Sequence, residues 1–209
     1  MAGTAPKSPG SPRFVLIAAV LAGVLVVASG TLLGIALHQS PKGSGGFLGG
    51  AIGGPFQLVD QNGKPFTDAD LKGKWHLVFF GYTHCPDICP TTLNELSLAF
   101  DKLTTEQRAN VGVVFISVDP ERDTPKILKS YLESFGAPVV GLTGSAAEVK
   151  QAAQDYRVYY AKHPLPGGDY EMDHSALIYV MDPQGRFNST LTLDSTAEQM
   201  AARLRKLVS

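Results

Sequence analysis

The chain has 209 residues and a nearly balanced charge, with 18 lysines and arginines against 19 aspartates and glutamates. It contains no basic stripe and no basic tail, which argues against nucleic-acid binding. The stretch from residue 55 onward is long enough for one domain with its own hydrophobic core. The whole chain has two cysteines, Cys85 and Cys89, which lie in the sequence HCPDICP.

The N-terminal part contains a long apolar run, residues 14–37, without a charged side chain. A helix of this length reaches roughly 36 Å, which is enough to cross a hydrocarbon core of about 30 Å. Lys7 and Arg13 precede the run, and no acidic residue occurs before Asp60. The positive-inside rule therefore predicts that residues 1–13 are cytoplasmic and that the rest of the chain is exported.

The alternative for this segment is a cleaved signal peptide. Against it, the apolar run is longer than the ~7–15 residues of a signal peptide, and no clean cleavage site follows. The segment also lacks the arginine-rich amphipathic character of a mitochondrial transit peptide. We therefore expect a single uncleaved transmembrane helix in a bacterial inner membrane, with a mitochondrial inner membrane as the less favoured location.

Residues 38–54 are rich in glycine and show no periodic pattern, which is typical of a flexible tether. Residues 55–209 are then expected to form one exported domain in the periplasm. In an oxidising compartment two neighbouring thiols normally form a disulfide unless something reduces them or binds a metal to them.

The predicted elements of this domain alternate between strands, marked by short apolar runs, and helices, marked by periodicity and capping residues. In chain order they are a hairpin over 55–67, a strand over 75–82, a helix over 91–103, a strand over 111–118, a helix beginning at 124–125 and reaching 131–135, helices opened by capping boxes at 145–148 and 195–198, and, between those two helices, strands at 176–182 and 187–193 that form a hairpin. Residues 162–173 are expected to form a long loop. This order predicts an α/β fold, a mixed sheet with flanking helices.

Cys85 and Cys89 lie where a buried strand passes into a helix. The free N–H groups and the dipole of a helix start stabilise a thiolate, so at least one cysteine should have a lowered pKa. Thiol–disulfide enzymes mostly separate their cysteines by two residues, whereas this pair is separated by three. Positions i and i+4 share one face of a helical turn, so both sulfurs can point at one ion. The same spacing can close a disulfide, so a disulfide, a redox enzyme and a metal site all remain open.

A metal site needs a third donor besides the two thiolates. His174 is the first candidate, because it stands just before a strand that should run beside the strand preceding the cysteines. His84 is the second candidate. It adjoins Cys85, but the side chains of adjacent residues point in different directions, so it ranks below His174. Asp173 is expected to orient His174 or its surroundings through hydrogen bonds. The other soft or titratable donors are interpreted as interfacial, packed or exposed residues: His38, His76, His163 and Met172.

The donor types favour a soft metal. Two thiolates and one imidazole suit Cu(I) best, and Zn(II) is a competitor. Cu(II) can bind if a further oxygen or nitrogen donor is added. Structural zinc sites use four protein ligands, and no fourth ligand is evident in the sequence.

Three stretches together carry a resemblance to a known family: FGYTHCPDICPTTL at 80–93, FISVDPERDTP at 115–125 and DHSALIYVMDPQG at 173–185. In this order they resemble the Sco/SenC family of membrane-tethered, thioredoxin-fold copper proteins that help to assemble cytochrome c oxidase. The resemblance covers the chain from roughly residue 53 to the C-terminus, and the preceding apolar segment fits it too.

The resemblance implies a thioredoxin-like fold, and copper binding by Cys85, Cys89 and His174. It further implies delivery of this copper to the dinuclear CuA centre of cytochrome c oxidase subunit II. Other periplasmic copper chaperones and thiol reductants are possible further partners.

The family also includes members proposed to reduce the cysteines of that centre. The alternative function is therefore a thiol–disulfide oxidoreductase in which Cys85 and Cys89 are catalytic, and a peroxidase or redox sensor ranks third. Thioredoxin-type enzymes carry a cis-proline that faces the active-site cysteines. The corresponding place in this chain holds residues 173–175, and a histidine there suits a metal better than a mixed disulfide, which favours the chaperone.

The segment 119–124 contains the sequences Asp-Pro and Asp-Thr-Pro. Both are typical of a turn followed by a helix start. The segment follows a predicted strand at the end near Cys85, so a role in docking a partner remains open, and no metal binding is expected there.

Overall fold

The computed structural model describes residues 52–192 and 195–208. The predicted cytoplasmic segment 1–13 and the predicted anchor 14–37 lie outside these residues, as does most of the predicted tether 38–54. Over the part that is described, no helix is both long and apolar enough to span a bilayer.

The described residues contain nine strands and five α-helices, together with a 3-10 turn at Asp68–Leu71. They are β1 (Gln57–Asp60), β2 (Pro65–Thr67), β3 (Trp75–Gly81), α1 (Ile88–Asp101), α2 (Thr105–Ala109), β4 (Val111–Ser117), α3 (Pro125–Leu132), β5 (Val139–Thr143), α4 (Ala146–Asp155), β6 (Tyr160–Pro164), β7 (Tyr170–His174), β8 (Leu177–Met181), β9 (Phe187–Thr192) and α5 (Ala197–Leu207).

Seven of these strands form one mixed sheet in the order β2-β1-β5-β4-β3-β8-β9. β3, β4 and β5 run parallel to one another, and β8 pairs antiparallel with the other edge of β3. In β3, Leu77 and Phe79 belong to an apolar cluster with residues of α1, α3 and α5, whereas Val78 and Phe80 belong to a cluster with residues of α4. The sheet is therefore covered on both faces, as the near-continuous apolar sequences of β3 and β4 predict. The predicted mixed α/β sheet with flanking helices is confirmed.

The segment 162–173 is not the long loop that the sequence predicts. It belongs to a hairpin in which β6 and β7 pair antiparallel and form a separate two-stranded sheet. Gly167 and Gly168 adopt positive φ angles in its turn, a conformation that glycine tolerates best. Most residues of these two strands are polar, and half of them are exposed, so the strands lack the alternating apolar pattern by which a strand is predicted.

The other predicted elements agree with the structure in type. The hairpin over 55–67, the strands β3 and β4, the helices α3 and α4, and the β8–β9 hairpin are all present. Three short elements have no counterpart among the predictions: the 3-10 turn, β5 and α2.

The start of α5 differs from its prediction by one residue. Its capping box is formed by Thr196 and Gln199, not by Ser195 and Glu198. The Thr196 hydroxyl accepts a hydrogen bond from the Gln199 amide, and the Gln199 side chain accepts one from the Thr196 amide. Threonine and glutamine satisfy the free N–H groups of a helix start as well as serine and glutamate do, so two overlapping boxes competed in the sequence.

Candidate metal centre

The cysteines lie on the loop and helix that follow the central strand β3. Helix α1 begins at Ile88, three residues earlier than predicted, so Cys89 stands in its first turn and Cys85 lies in the preceding loop. The two cysteines therefore do not share one face of a helical turn, but their sulfurs do lie close enough to bind one ion, as the spacing predicts. The backbone N–H of Cys89, one of the free donors of the helix start, instead lies 3.4 Å from Sγ of Cys85 and donates to it. This contact brings both thiols to the same end of the helix.

Gly81, the last residue of β3, makes room for the buried thiol. A Cβ atom at this position would lie 2.6 Å from Sγ of Cys89 and 2.8 Å from the ring of Phe115. Both distances are shorter than van der Waals contact. The side chain of Cys89 thus packs directly on the strand backbone, and only glycine permits this approach.

His174 is the last residue of β7 and stands three residues before β8, the strand beside β3. Its Nε2 lies 3.5 Å from Sγ of Cys89. Its Nδ1 lies 3.2 Å from the carbonyl oxygen of Ser175. A carbonyl can only accept, so Nδ1 carries the proton and Nε2 of the neutral ring presents a lone pair toward the sulfur. The rings of Phe79 and Tyr82 contact the imidazole edge-on and fix its plane.

The carboxylate of Asp173 does not orient His174. One of its oxygens lies 2.8 Å from Nε2 of His163 on the adjacent strand, because successive side chains of a strand point to opposite faces. The carbonyl of Ser175 takes the role that the sequence assigns to Asp173, although Asp173 does act on the surroundings of His174 by linking β7 to β6.

The two thiols have opposite pKa shifts. The pKa of Cys85 is lowered, chiefly because the Cys89 thiol donates a hydrogen bond to its sulfur, and backbone amides add to this effect. The pKa of Cys89 is raised by the same hydrogen bond and by burial. Cys85 is thus the thiol that loses its proton first, and a bound metal would displace the proton of Cys89.

The three donor atoms of Cys85, Cys89 and His174 all lie within 4.8 Å of one another. In a trigonal site with metal–sulfur distances of about 2.3 Å and metal–nitrogen distances of about 2.0 Å, the donors lie about 3.7–4.0 Å apart. The donors of this group therefore need only small side-chain adjustments to hold one ion. Two sulfurs and an imidazole favour Cu(I), with zinc as the competitor.

The other histidines of the described region lie apart from this group. His84, the second candidate from the sequence, is exposed, and its Nδ1 lies 3.1 Å from the hydroxyl of Thr83. His76 is buried within β3 and contacts the carbonyl of Lys74, in agreement with the interpretation of it as a packed residue.

A buried carboxylate holds the loop that carries the cysteines. Asp123 is fully buried and accepts hydrogen bonds from the hydroxyl of Ser117 and the hydroxyl of Thr83, both at 2.6 Å, and from the backbone N–H of Thr83 at 3.0 Å. The sequence indicates a turn and a helix start here, and Thr124 does cap α3. The support given to the cysteine loop has no sequence signal, because Thr83 and Asp123 are 40 positions apart.

The central strand leads into two cysteines at a helix start, and a histidine that precedes the neighbouring strand faces them. This arrangement defines a thioredoxin-like protein with a candidate soft-metal site. The chain belongs to the SCO1/SenC family, whose model matches residues 48–209. The mitochondrial protein SCO2 of Saccharomyces cerevisiae is 41% identical over 160 residues, which cover 76% of this chain and 53% of the relative. The chain spans about half the length of the first curated relatives that it matches.

Two solved structures show the same fold. The structure of Bradyrhizobium japonicum ScoI with copper bound is 54% identical, with a TM-score of 0.71, and the match covers 75% of this chain and 99% of that one. BsSco, a member of the Sco family of cytochrome c oxidase assembly proteins in which a disulfide switch was identified, is 25% identical, with a TM-score of 0.58. That match covers 78% of this chain and 95% of BsSco.

Proposed function

We propose that this protein is a copper chaperone that binds one Cu(I) through Cys85, Cys89 and His174 and delivers it to the CuA centre of cytochrome c oxidase subunit II. The observation that carries the proposal is the convergence of two sulfurs and one imidazole nitrogen within 4.8 Å. The copper-bound ScoI structure and the place of the Sco family in oxidase assembly support it.

The burial of the three donors suits release of the metal as well as binding. Cys89 is fully buried, whereas Cys85 and His174 are half-buried. A partner's donor can therefore approach the metal from the side of Cys85 and His174 and replace them one at a time. Such stepwise exchange passes the ion on without its release into water.

The alternative function is a thiol–disulfide reductase for the cysteines of the same centre. It is favoured by the lowered pKa of Cys85, which makes this residue the attacking thiolate, and by the disulfide switch identified in BsSco. In this reaction Cys85 attacks one sulfur of the partner's disulfide and the other leaves as a thiolate. Cys89 then displaces the partner from the mixed disulfide, which leaves the partner reduced and the Cys85–Cys89 pair oxidised.

One experiment separates the two functions. The full chain is purified in detergent, reduced and loaded with Cu(I), and then mixed with a metal-free, reduced CuA domain of subunit II. The chaperone transfers copper, measured as the copper content of each protein after separation. A parallel mixture of the reduced, copper-free chain with the oxidised CuA domain is assayed for new free thiols. Copper that stays on the chain, together with rapid appearance of thiols on the partner, would overturn the chaperone in favour of the reductase.

For the location we propose a bacterial inner membrane, with residues 14–37 as the single span and residues 55–209 in the periplasm. The proposal rests on the uncharged apolar run and on the lysine and arginine that precede it.

A further inference from the structure

We infer that the turn 119–123, which follows β4, aligns the two halves of the candidate metal centre, and that Arg122 is its positioning residue for His174. The inference rests on the proposed function, since it concerns how the histidine is held against the cysteines. The turn contacts the β6–β7 hairpin, which carries His174, through Asp119, Glu121 and Arg122. It contacts the cysteine loop through Asp123.

The contacts between the turn and the hairpin converge on Tyr170, the first residue of β7. The guanidinium of Arg122 lies 3.7 Å from the centre of the Tyr170 ring and donates to the Tyr170 carbonyl at 3.0 Å. The Tyr170 hydroxyl donates to the carboxylate of Asp119 at 2.7 Å. Asp119 is itself buried and pairs with the guanidinium of Arg122. Ring, guanidinium and carboxylate thus form a closed set of contacts that ties the start of β7 to the turn.

The second strand of the hairpin is tied to the same turn. Lys162 of β6 forms an ion pair with Glu121 at 2.7 Å, and its ammonium group lies 3.7 Å from the centre of the Tyr170 ring. The guanidinium of Arg122 also reaches the carboxylate of Asp169 in the hairpin turn, at 3.2 Å. Exposed ion pairs of this kind contribute little one by one, but here both strands are held by neighbouring residues of one turn.

The hairpin depends on such side-chain contacts because its strands do not belong to the seven-stranded sheet. No ladder of backbone hydrogen bonds fixes its position against β3. His174 stands at the opposite end of β7 from Tyr170, about 13 Å away at ~3.3 Å per residue. Arg122 therefore does not touch the metal donors. It sets the direction of the strand that presents His174.

The other half of the centre is attached to the same turn by Asp123. Its carboxylate accepts two hydrogen bonds from Thr83, which stands two residues before Cys85. Asp123 and Arg122 are adjacent in the chain, so one short turn carries contacts to both the cysteine loop and the hairpin. The guanidinium of Arg122 also lies 5.9 Å from the centre of the Tyr82 ring, which contacts His174. The turn therefore helps to position both the thiols and the imidazole.

The test measures the Cu(I) dissociation constant and the rate of exchange with a small disulfide on the same full-length proteins in detergent. Arg122→Met keeps an apolar stem but removes the guanidinium, and we expect it to weaken copper binding by ~10–100-fold, as loss of an outer support of a ligand does. Its thiol exchange rate should stay unchanged, because the cysteines are not moved.

The matched control is Arg186→Met. Arg186 also pairs with a carboxylate close to it in the chain, that of Asp182, but it does so at the β8–β9 turn. The control should change copper binding by less than about twofold.

Two further variants show through which ligand each contact acts. In a His174→Ala background, Arg122→Met should have no further effect on copper binding, because its only route to the metal is gone. Thr83→Val, which removes the 2.6 Å contact to Asp123, should still weaken copper binding in that background, because it acts through the cysteines. Tyr170→Phe is a milder change, with an expected loss of ~2–10-fold from one hydrogen bond, and it serves if Arg122→Met does not fold.

The possible outcomes separate the inference from the proposed function. If His174→Ala alone leaves copper binding intact, the proposed ligand set fails. If His174→Ala weakens binding but neither Arg122→Met nor Tyr170→Phe does, the ligand set stands and the positioning role of the turn is rejected. Equal effects of Arg122→Met with and without His174 would also reject it, because they would show a general loss of structure.

Discussion

Sγ of Cys89 and Nε2 of His174 lie 3.5 Å apart although the two residues are separated by 85 positions in the chain. The contact exists because β8 runs antiparallel beside β3, so the end of the hairpin before β8 meets the start of the helix after β3. It joins a buried thiol to a ring whose Nδ1 is already committed to a carbonyl. The lone pair of this ring thus points at the sulfur of Cys89, where a soft metal would replace the proton of the thiol.

The first prediction concerns the replacement of His174 by alanine. Loss of a direct ligand should weaken Cu(I) binding by more than the ~10–100-fold that follows loss of an outer support. Exchange with a small disulfide should persist, since the attacking thiolate of Cys85 needs no histidine. Both quantities are measured on one preparation after its fold is checked by circular dichroism. His163→Ala is the control, because His163 is exposed and pairs with Asp173. Unchanged copper binding with a collapsed exchange rate would favour the reductase.

The second prediction concerns oxidation of the cysteine pair. A Cys85–Cys89 disulfide consumes both sulfur donors, so the oxidised chain should bind no Cu(I) through them, whereas the reduced chain binds one ion. Copper per chain is measured after gel filtration, and free thiols are titrated on the same samples. Reduction of the oxidised sample should restore the ion. A stoichiometric copper complex that survives complete oxidation would contradict the ligand assignment.

The third prediction concerns the close approach of the thiol to the central strand. In Gly81→Ala the new methyl group would meet Sγ of Cys89 at 2.6 Å and the Phe115 ring at 2.8 Å. Such overpacking should lower the free energy of unfolding by about 1–3 kcal/mol and displace the thiol, so that copper binding weakens as well. Gly136→Ala is the control, because its methyl group would meet only the Ser97 hydroxyl at 3.8 Å. Equal stability of the two variants would show that the site tolerates a wider spacing.

The fold and the donors could be predicted to different depths, for physical reasons. Apolar runs such as residues 75–82 and 111–118 are local signals, so the central strands were predictable. The candidate donors were predictable because the chain has few soft donors and because the position of each relative to the predicted strands follows from the sequence. These donors are Cys85, Cys89 and His174. The β6–β7 hairpin was not, since its stability comes from tertiary contacts rather than from its own sequence.

The supports of the site were hidden for a related reason. Arg122 meets the Tyr170 carbonyl across 48 positions, and Thr83 meets Asp123 across 40. An arginine or an aspartate in a turn has many roles, and no periodicity marks which one is buried against a distant partner. Burial of Asp123 in particular becomes visible only when β4 and the cysteine loop are placed side by side.

The fourth prediction concerns membrane topology. A reporter enzyme that is active only outside the cytoplasm, fused after Ser209, should be active in the bacterial host, because Lys7 and Arg13 hold the N-terminus inside. Replacing both basic residues by glutamine should lower the exported fraction. The activity is compared with that of a reporter that works only in the cytoplasm, fused at the same place. Activity of the cytoplasmic reporter alone would show that the proposed orientation is wrong.

The fifth prediction concerns the buried carboxylate of Asp123. Burial raises its pKa above the ordinary value of 3.8, although hydrogen bonds from Ser117 and Thr83 oppose the shift. Between 3.8 and the raised pKa the folded state holds a proton that the unfolded state has released, so this group makes the protein less stable as the pH rises through that window.

Asp123→Asn cannot titrate and should lack this component. The substitution also changes the hydrogen bonds at this position and therefore the stability itself. The informative quantity is how the difference in unfolding free energy between the two proteins changes with pH. From pH 3.5 to pH 6 the wild type should lose stability relative to Asp123→Asn, by about 1.4 kcal/mol for each unit by which the pKa is raised. Urea unfolding followed by the fluorescence of Trp75, the single tryptophan, measures it, and Ser134→Ala in an exposed loop serves as a control whose difference should not vary with pH. A constant difference between Asp123→Asn and the wild type across this range would show that the carboxylate titrates normally in the folded protein.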